Sequence, residues 1–323
     1  MRLLEYATIA AFAMVTATPA AIAQSYPAKP VRVIAAFPPG GSADLLARVI
    51  SDKLSTALGQ PFVVENRPGA GGTIGADAVA KSAPDGYTLL LGVTASQTIA
   101  PSVYKSLPYD AARDFRPVAL VAAIPVALVV HPSIAANTAR EFVAVAKVAN
   151  PPLQFASSGS GAIPHLAGEL FQLSQGVTLQ HVPYKGAPLA MSDLLAGRVQ
   201  LMFDNLPTVL PHIRSGKMRA LAIAGPKRAR ALPDLPTLAE AGIPGVEVGS
   251  WFGVLAPAGT PDAIVAVLSR EIAKAVSADD AKARMDAMGA EPSYLPPEEF
   301  ARLVRADTEK WARLVKATGA RAD

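Results

Sequence analysis

Apolar residues recur along this chain in two alternating patterns. Short runs rich in β-branched residues predict strands at 31–37, 61–65, 87–92, 117–122, 126–131, 153–157, 179–182, 199–203, 219–224 and 251–256. Segments in which apolar residues return every three or four positions predict helices at 43–58, 73–81, 138–149, 162–174, 187–196, 206–215, 261–276, 279–288 and 297–317. Alternation of this kind is typical of α/β units, and we expect mostly parallel sheets.

The first and last predicted helices each carry one apolar stripe. In the first helix the stripe comprises Leu45, Leu46, Val49, Ile50, Leu54 and Leu58, with Ser42 placed to cap the start and Gly59 to end the helix. In the last helix it comprises Phe300, Leu303, Val304, Trp311, Leu314 and Val315. We expect the last helix to return and pack on the first lobe, the alternative being an amphipathic helix that binds a partner.

The N-terminus has the features of a secretory signal peptide. An apolar stretch from Ala7 to Ala17 follows Arg2, and the A-x-A pattern Ala21-Ile22-Ala23 precedes Gln24. The stretch is shorter than the roughly 20 residues that span a bilayer, although an uncleaved anchor is the alternative. Residues 1–23 are therefore predicted to direct export to the periplasm and to be removed.

Composition excludes several classes of function. The net charge of +4 is scattered, and Lys227, Arg228 and Arg230 form the only tight basic cluster, so nucleic-acid binding is not expected. The absence of cysteine excludes disulfides and thiol chemistry. The spacing of the four histidines matches no zinc pattern, and we expect neither a metal nor a cofactor.

One arrangement of strand, glycine-containing loop and helix start occurs twice. The strand 31–37 leads into a loop at 38–42, and the strand 153–157 leads into a loop at 158–161. Backbone N–H groups at a helix N-terminus form a site for an anion, so two such loops predict an anion held between two lobes. The candidate residues are Phe37, Pro39, Gly40, Gly41 and Ser42 in the first loop, and Ser158, Gly159, Ser160 and Gly161 in the second.

Further polar candidates follow other predicted strands. Asp44 either stabilises its helix dipole or orients a water or ligand amine, and His165 is a cap, a ligand donor or plain structure. The loop 92–97, with Thr94, Ser96 and Gln97, follows a strand at the edge where open α/β sheets bind ligands, although ordinary turn polarity explains it too. Lys185 is either a cation for an anionic ligand or merely exposed, and Asp204 is a ligand contact or lies at the cleft hinge.

The sequence supports an enzymatic function less well than it supports anion binding. The segment 69–75 resembles a dinucleotide fingerprint, but Ile74 stands where the third glycine is needed. Ser160 and His165 are a possible serine–histidine pair, although an orienting acid and an oxyanion hole are also required for a hydrolase. The loop around Ser160 does not match the G-x-S-x-G pattern. A secreted α/β hydrolase is therefore ranked third, behind the two receptor functions described below.

The order and spacing of several short motifs resemble those of the Bug-type extracytoplasmic solute receptors, the substrate-binding proteins of tripartite tricarboxylate transporters. The resemblance extends over nearly all of the mature chain. The motifs that carry it are Tyr26-Pro27, Lys29-Pro30-Val31, 37–44 (FPPGGSAD), 64–72 (VENRPGAGG), 83–89 (APDGYTL), 182–186 (VPYKG), 203–205 (FDN), 233–237 (PDLPT) and 240–242 (EAG).

This resemblance implies a bilobal periplasmic-binding-protein fold of type II, with two α/β domains and a double chain crossover. Domain 1 is expected at 24–127 and 250–323, and domain 2 at 128–249.

The resemblance also implies a small carboxylate ligand, an organic, amino or aromatic acid, with contacts from 37–44, 93–97, 158–161, His165 and Asp204. It further implies delivery to membrane permease subunits, the main alternative being a sensor that docks on a membrane signalling protein. In 93–97 (VTASQ), valine and glutamine replace a threonine and a histidine frequent in the family, so specificity is not transferable from relatives.

Overall fold

The computed structural model describes residues 26–322, so the predicted signal peptide lies outside the described residues. In chain order the elements are β1 (Val31–Ala35), α1 (Ser42–Leu58), β2 (Phe62–Asn66), α2 (Thr73–Ala80), β3 (Thr88–Val93), α3 (Ala100–Val103), β4 (Phe115–Ile124), β5 (Val126–Val130), α4 (Ala139–Val148), β6 (Gln154–Ser157), α5 (Ile163–Gln175), β7 (Gln180–Pro183), α6 (Ala187–Leu195), β8 (Leu201–Asn205), α7 (Leu206–Arg214), β9 (Arg219–Ile223), β10 (Ser250–Pro257), α8 (Asp262–Ser277), α9 (Asp279–Ala287), β11 (Glu291–Leu295) and α10 (Pro297–Thr318). A 3-10 turn (Ala70–Gly72) precedes α2, and a π-helical turn (Ala95–Ile99) precedes α3.

The strands form two mixed sheets. The first has the order β11-β4-β10-β3-β1-β2 and the second β7-β6-β8-β5-β9. Four strand pairs are parallel and five are antiparallel, so the prediction of mostly parallel sheets was wrong. Most of the difference arises because β5 and β10, the first strand after each crossing, run antiparallel to both of their neighbours, and β11 adds a further antiparallel pair with β4. We call each sheet with its helices the first and the second lobe.

Between β1 and β11 the chain crosses from one sheet to the other twice. β4 of the first lobe ends at Ile124 and β5 of the second begins at Val126, so Pro125 alone joins them. The return runs through residues 224–249, between β9 and β10. The two α/β sheets and the double crossover match the expected bilobal architecture. The residue boundaries of the two domains stay a prediction, and the one at residue 127 falls inside β5.

Helix α1 illustrates how the predicted stripes fix the packing. Leu46, Val49 and Ile50 are buried against β1 and β3 of the first sheet. Gly59 ends the helix with φ of 68°, a left-handed conformation that suits glycine. Ser42 does not cap the start as predicted, because it is the first helical residue and Gly41 occupies the capping position.

Helix α10 packs on both lobes, and not only on the first as predicted. Its Phe300 lies edge-on to Trp251 of β10, with ring centroids 5.1 Å apart. About three turns further along the helix, Trp311 and Val315 are buried in a core cluster built largely on the second sheet. The N–H of Ala322 then donates to the carbonyl of Val103, 3.1 Å away. The C-terminal segment therefore ties the two lobes together.

Two short elements were not predicted, namely β11 and the π-helical turn with α3 that follows β3. Every other strand and helix lies within a few residues of its predicted position. Across residues 26–322, none of the helices combines the length and apolar character that a membrane crossing needs.

We expect Trp311→Ala to lower the free energy of unfolding by about 3–5 kcal/mol, the usual cost of removing a buried tryptophan. Arg313→Ala, on an exposed position of the same helix, is the matched control and should change stability by less than about 0.5 kcal/mol. Urea titration followed by circular dichroism measures both. An equal effect of the two variants would contradict a core role for the tryptophan.

Candidate functional site

The lobes meet around a small cavity of about 40 Å³, which we call the cleft cavity. Both lobes contribute to its wall. The first lobe supplies Phe37, Pro38, Gly41, Ser42, Ala43, Val93, Ala95, Ser250 and Phe252, and the second supplies Ser158, Ala162, Ile163, Pro164, Ala187, Pro188, Asp204, Asn205 and Thr208. A buried water needs at least about 10–15 Å³ of such space, so the cavity has room for a group of roughly three heavy atoms.

Four helices begin at the wall of the cleft cavity. Residues of the first turn line it in α1 (Ser42, Ala43), α5 (Ile163, Pro164), α6 (Ala187, Pro188) and α7 (Thr208). Each helix N-terminus carries a partial positive charge of about half a unit and N–H groups without an intrahelical partner. The sequence predicted α1 and α5 in this role, whereas α6 and α7 were missed. The wall described here therefore combines four positive helix ends with the carboxyl group of Asp204, and its lining residues include no cationic side chain.

Asp44 holds the first loop in shape and does not line the cavity. Its carboxylate accepts hydrogen bonds from the Gly40 N–H at 3.0 Å and from Asn66 Nδ2 at 3.1 Å, and it pairs with Arg48 at 2.8 Å. Burial favours a higher pKa for Asp44, but the bonds from Arg48, Gly40 and Asn66 together lower its pKa below the usual value. Pro39 and Gly40 are exposed, so of the first loop Phe37, Gly41 and Ser42 reach the cavity.

Asp204 and Asn205 form the polar end of the cleft cavity. Asp204 is 1% exposed, and its Oδ1 accepts from the Asn205 N–H at 2.8 Å. Its Oδ2 and the Oδ1 of Asn205 are buried with no hydrogen-bond partner among the described residues. Burial raises the pKa of Asp204 to about 7, opposed by the Asn205 N–H. A buried polar atom without a partner marks a place where a ligand group can supply one.

The residues of the loop after β3 lie on two different surfaces. Val93 and Ala95 line the cleft cavity, whereas the predicted contacts Thr94, Ser96 and Gln97 do not. Thr94 Oγ1 instead accepts from the Trp251 N–H at 2.9 Å. Ser96 and Gln97 are also buried away from the cleft cavity. Ser96 accepts from a tyrosine hydroxyl, and Gln97 lines a separate cavity of about 670 Å³ between the π-helical turn, β4 and α10.

A wider cavity of about 360 Å³ adjoins the cleft cavity, with which it shares Phe37, Pro38 and Ser158. We call it the mouth cavity, and its other lining residues are Gly69, Ala70, Gly71, Gly72, Tyr104, Gly159, Ser160, Pro183, Tyr184, Lys185 and Ala322. Lys185 is the only lining residue with a formal charge. The predicted contacts Gly159, Ser160 and Lys185 thus lie in the mouth cavity and not in the cleft cavity.

His165 supports the second loop from behind. Its Nδ1 accepts from the Gly161 N–H at 3.1 Å, its Nε2 lies 3.6 Å from Glu169, and its ring stacks on His181 at 4.0 Å. Burial, together with the neighbouring His165, lowers the pKa of His181 to about 4. Because both nitrogens of His165 face other groups, the geometry does not favour the general base that the hydrolase hypothesis requires.

The lobes touch directly beside the cleft cavity. Ser42 Oγ on α1 lies 3.1 Å from Thr208 Oγ1 on α7, and this hydrogen bond joins the lobes. Gly186 faces Pro38 so closely that a Cβ atom on it would lie 2.5 Å from Pro38 Cγ, and its φ of 129° also requires glycine. The lobes are therefore in direct contact on this side of the cleft cavity.

Several wall residues were not predicted. Ser250 and Phe252 come from β10, and Asn205 and Thr208 from the start of α7. The sequence contains only local signals for some of these residues. Asn205 follows the predicted Asp204 directly, and the Pro-containing starts of α6 and α7 are typical of helix N-termini.

The fold and the cleft define a class, the two-lobed solute-binding proteins. Residues 46–320 match the family described as "Tripartite tricarboxylate transporter family receptor". Protein BugT of Bordetella pertussis is 40% identical over 300 residues, which cover 93% of this chain and 92% of that protein. The chain belongs to this receptor family, as the sequence motifs indicated.

Solved structures agree with this assignment. Rpa4515 of R. palustris with adipate has a TM-score of 0.88 and 38% identity, covering 92% of this chain and 99% of that chain. MatC of Rhodopseudomonas palustris with bound malate has a TM-score of 0.83 and 34% identity, covering 90% and 99%. The bilobal periplasmic-binding-protein fold is thereby confirmed.

We expect Thr208→Val to weaken ligand binding about fivefold, because a net hydrogen bond between the lobes is worth about 1 kcal/mol. Thr208→Ser, which keeps the hydroxyl, should bind within twofold of the wild type. Isothermal titration with the acid that binds best measures both. Equal affinities for the valine and serine variants would show that the Ser42–Thr208 contact does not stabilise closure.

Proposed function

We propose that this protein captures a small carboxylate between its lobes and delivers it to the membrane permease of a tripartite tricarboxylate-type transporter. The observation that carries the proposal is the convergence of four helix N-termini on one enclosed cavity. Oriented backbone N–H groups stabilise an anion without a cationic side chain. Relatives of the same fold have been solved with adipate and with malate, which supports a carboxylate.

The two adjoining cavities suggest how such a ligand lies. The cleft cavity, at about 40 Å³, accommodates a carboxylate group but not a carbon chain. The mouth cavity, at about 360 Å³, accommodates the remainder of the molecule and opens from the same wall at Phe37, Pro38 and Ser158. One carboxylate at the helix N-termini and a chain that extends past Ser158 therefore make the best fit.

A bound ligand should bring the two lobes together, because it contacts both of them. A carboxylate in the cleft cavity touches the α1 start in the first lobe and the α5, α6 and α7 starts in the second. A ligand that contacts both lobes stabilises the closed state over the open one. Val248 is still bonded to Ala224 of the second lobe and β10 starts at Ser250, so the bends on closure are proposed at Pro125 and around Gly249.

The receptors of this family are periplasmic, and we extend this to the present chain through its N-terminus. Residues 1–23 are proposed to be a signal peptide removed after Ala23. The permease subunits are the proposed partners, and they recognise the closed form of the receptor.

A thermal-shift screen of the mature protein tests carboxylate capture. The panel contains adipate, malate, hexanoate and benzoate, with adipamide as the uncharged match to adipate. A binding acid at 100 times its Kd should add about 2.7 kcal/mol to the stability and raise Tm. Adipamide should give no shift, because the helix N-termini favour an anion. A shift with adipamide equal to that with adipate, or none with any acid, would contradict the proposal.

Lys185 provides a sharper test of the ligand's orientation. If the distal end of the ligand lies in the mouth cavity, Lys185→Gln should weaken adipate binding about fivefold, since an exposed ion pair contributes up to about 1 kcal/mol. Hexanoate, which has the same number of carbons and one carboxylate, should bind as before. Lys147→Gln on the exposed face of α4 controls for total charge. An equal loss for adipate and hexanoate would contradict this orientation.

A further inference from the structure

Asp204 has the one ionisable side chain in the wall of the cleft cavity, within residues 26–322. It lies at the end of β8, 1% exposed, with Oδ2 unpartnered. Because Asp204 is part of the wall of this cavity of about 40 Å³, a carboxylate bound there lies beside its side chain. Two carboxylates in contact cannot both keep their charge, because like charges in an enclosed site repel strongly.

Among residues 26–322 no N–H or O–H group reaches Asp204 Oδ2, so no hydrogen bond offsets a negative charge on that oxygen when a second carboxylate lies beside it. Without a ligand, Asp204 itself can supply the negative charge at the helix N-termini. When a ligand carboxylate enters, it takes over the interaction with the N–H groups, and the second charge is left without a partner in a dry site. Protonation of Asp204 removes the excess charge and converts its Oδ2 from an unpartnered acceptor into an O–H donor.

Building on the proposed function, we infer that Asp204 binds the ligand as a carboxylic acid, so that one solvent proton is taken up with each carboxylate. The proton forms the O–H bond on Asp204, and that O–H donates to a carboxylate oxygen of the ligand. No other bond is made or broken. The ligand itself enters as the anion and leaves as the anion, and the proton returns to solvent on release.

The surroundings of Asp204 support this assignment. The elements packed against β8 are β5, β6, α5, α6 and α7, and of these β5 and β6 carry no titratable side chain. The charged and titratable groups on the others, and on α1 across the cavity, are His165 and Glu169 (α5), Asp193 (α6), His212 and Arg214 (α7), and Asp44, Arg48, Asp52 and Lys53 (α1).

Four of these groups have partners of their own. Asp193 accepts from Tyr184 and Arg198, Arg214 donates to a carbonyl of α9, and Asp44 pairs with Arg48. Burial is the main cause that raises the pKa of Asp204 to about 7. A neighbouring anion raises this pKa further, so the protein takes up a proton on binding wherever Asp204 is ionised beforehand.

The affinity for the carboxylate should therefore fall as the pH rises through the pKa of Asp204. Below pH 6 Asp204 is already protonated, and affinity is independent of its titration. Above pH 7 a proton must be acquired, so Kd should rise by up to tenfold per pH unit between pH 7.5 and 9. The number of protons taken up should approach one at pH 8 to 9.

Isothermal titration of the mature protein with adipate at pH 6, 7, 8 and 9, in buffers of different ionisation enthalpy, measures both quantities. Malate replaces adipate if it gives the larger thermal shift. Asp204→Asn offers an amide N–H in place of the acid O–H and should bind with a Kd that is flat across this range and with no proton uptake. His165→Gln keeps an acceptor for the Gly161 N–H and should retain the wild-type pH dependence.

The outcomes separate the two proposals. A pH-independent wild-type Kd with no proton uptake overturns the inference and leaves carboxylate capture standing. A pH dependence lost in His165→Gln but kept in Asp204→Asn overturns it as well and assigns the proton to the histidine. Preference for an amino acid over the matched plain acid, without proton uptake, shows that a ligand ammonium group satisfies Asp204 instead. Absence of adipate and malate binding at every pH contradicts the proposed function itself.

Discussion

Peptide N–H groups in the first turn of a helix have no partner within that helix, and this constraint organises the molecule. In each lobe, helices start where parallel strands end, and the two lobes turn these edges towards each other. Four helix N-termini thereby share one enclosed space. The positive charge of these helix ends comes from the backbone, so it does not depend on a lysine or arginine. The contacts of Ser42 with Thr208 and of Pro38 with Gly186 hold the two lobes together beside this space.

The structural features that could be predicted from the sequence are those that neighbouring residues encode. The stripe of α1, its C-terminal Gly59 and the glycine loops before α1 and α5 are each encoded within about 20 residues, and the structure has them. The starts of α6 and α7 were missed as wall elements, because they contain proline in place of a glycine run. Their convergence with α1 depends on how the lobes pack, which no local pattern specifies.

Longer-range features account for the remaining differences. The direction of β10 depends on the return crossing, so its antiparallel pairing with β3 was not visible in its apolar run. β11 was missed because Pro292 and Ser293 interrupt the alternation of an edge strand. Gln97 follows a strand as predicted, but the π-helical turn rotates it towards β4 and α10. The position of Asp204 was predicted, whereas its isolation from other charges follows from the apolar strands on either side of it.

The C-terminal segment ends beside the ligand site. After α10 has crossed from the first lobe to the second, Ala322 is bonded to Val103 and forms part of the mouth cavity. An affinity tag that continues the chain beyond Ala322 would therefore start at the entrance to the cleft, where a flexible peptide competes with the ligand for the same opening. Tyr26, by contrast, packs on Tyr87 of the first lobe and lines neither cavity, so a tag for binding studies is better placed on the N-terminal side.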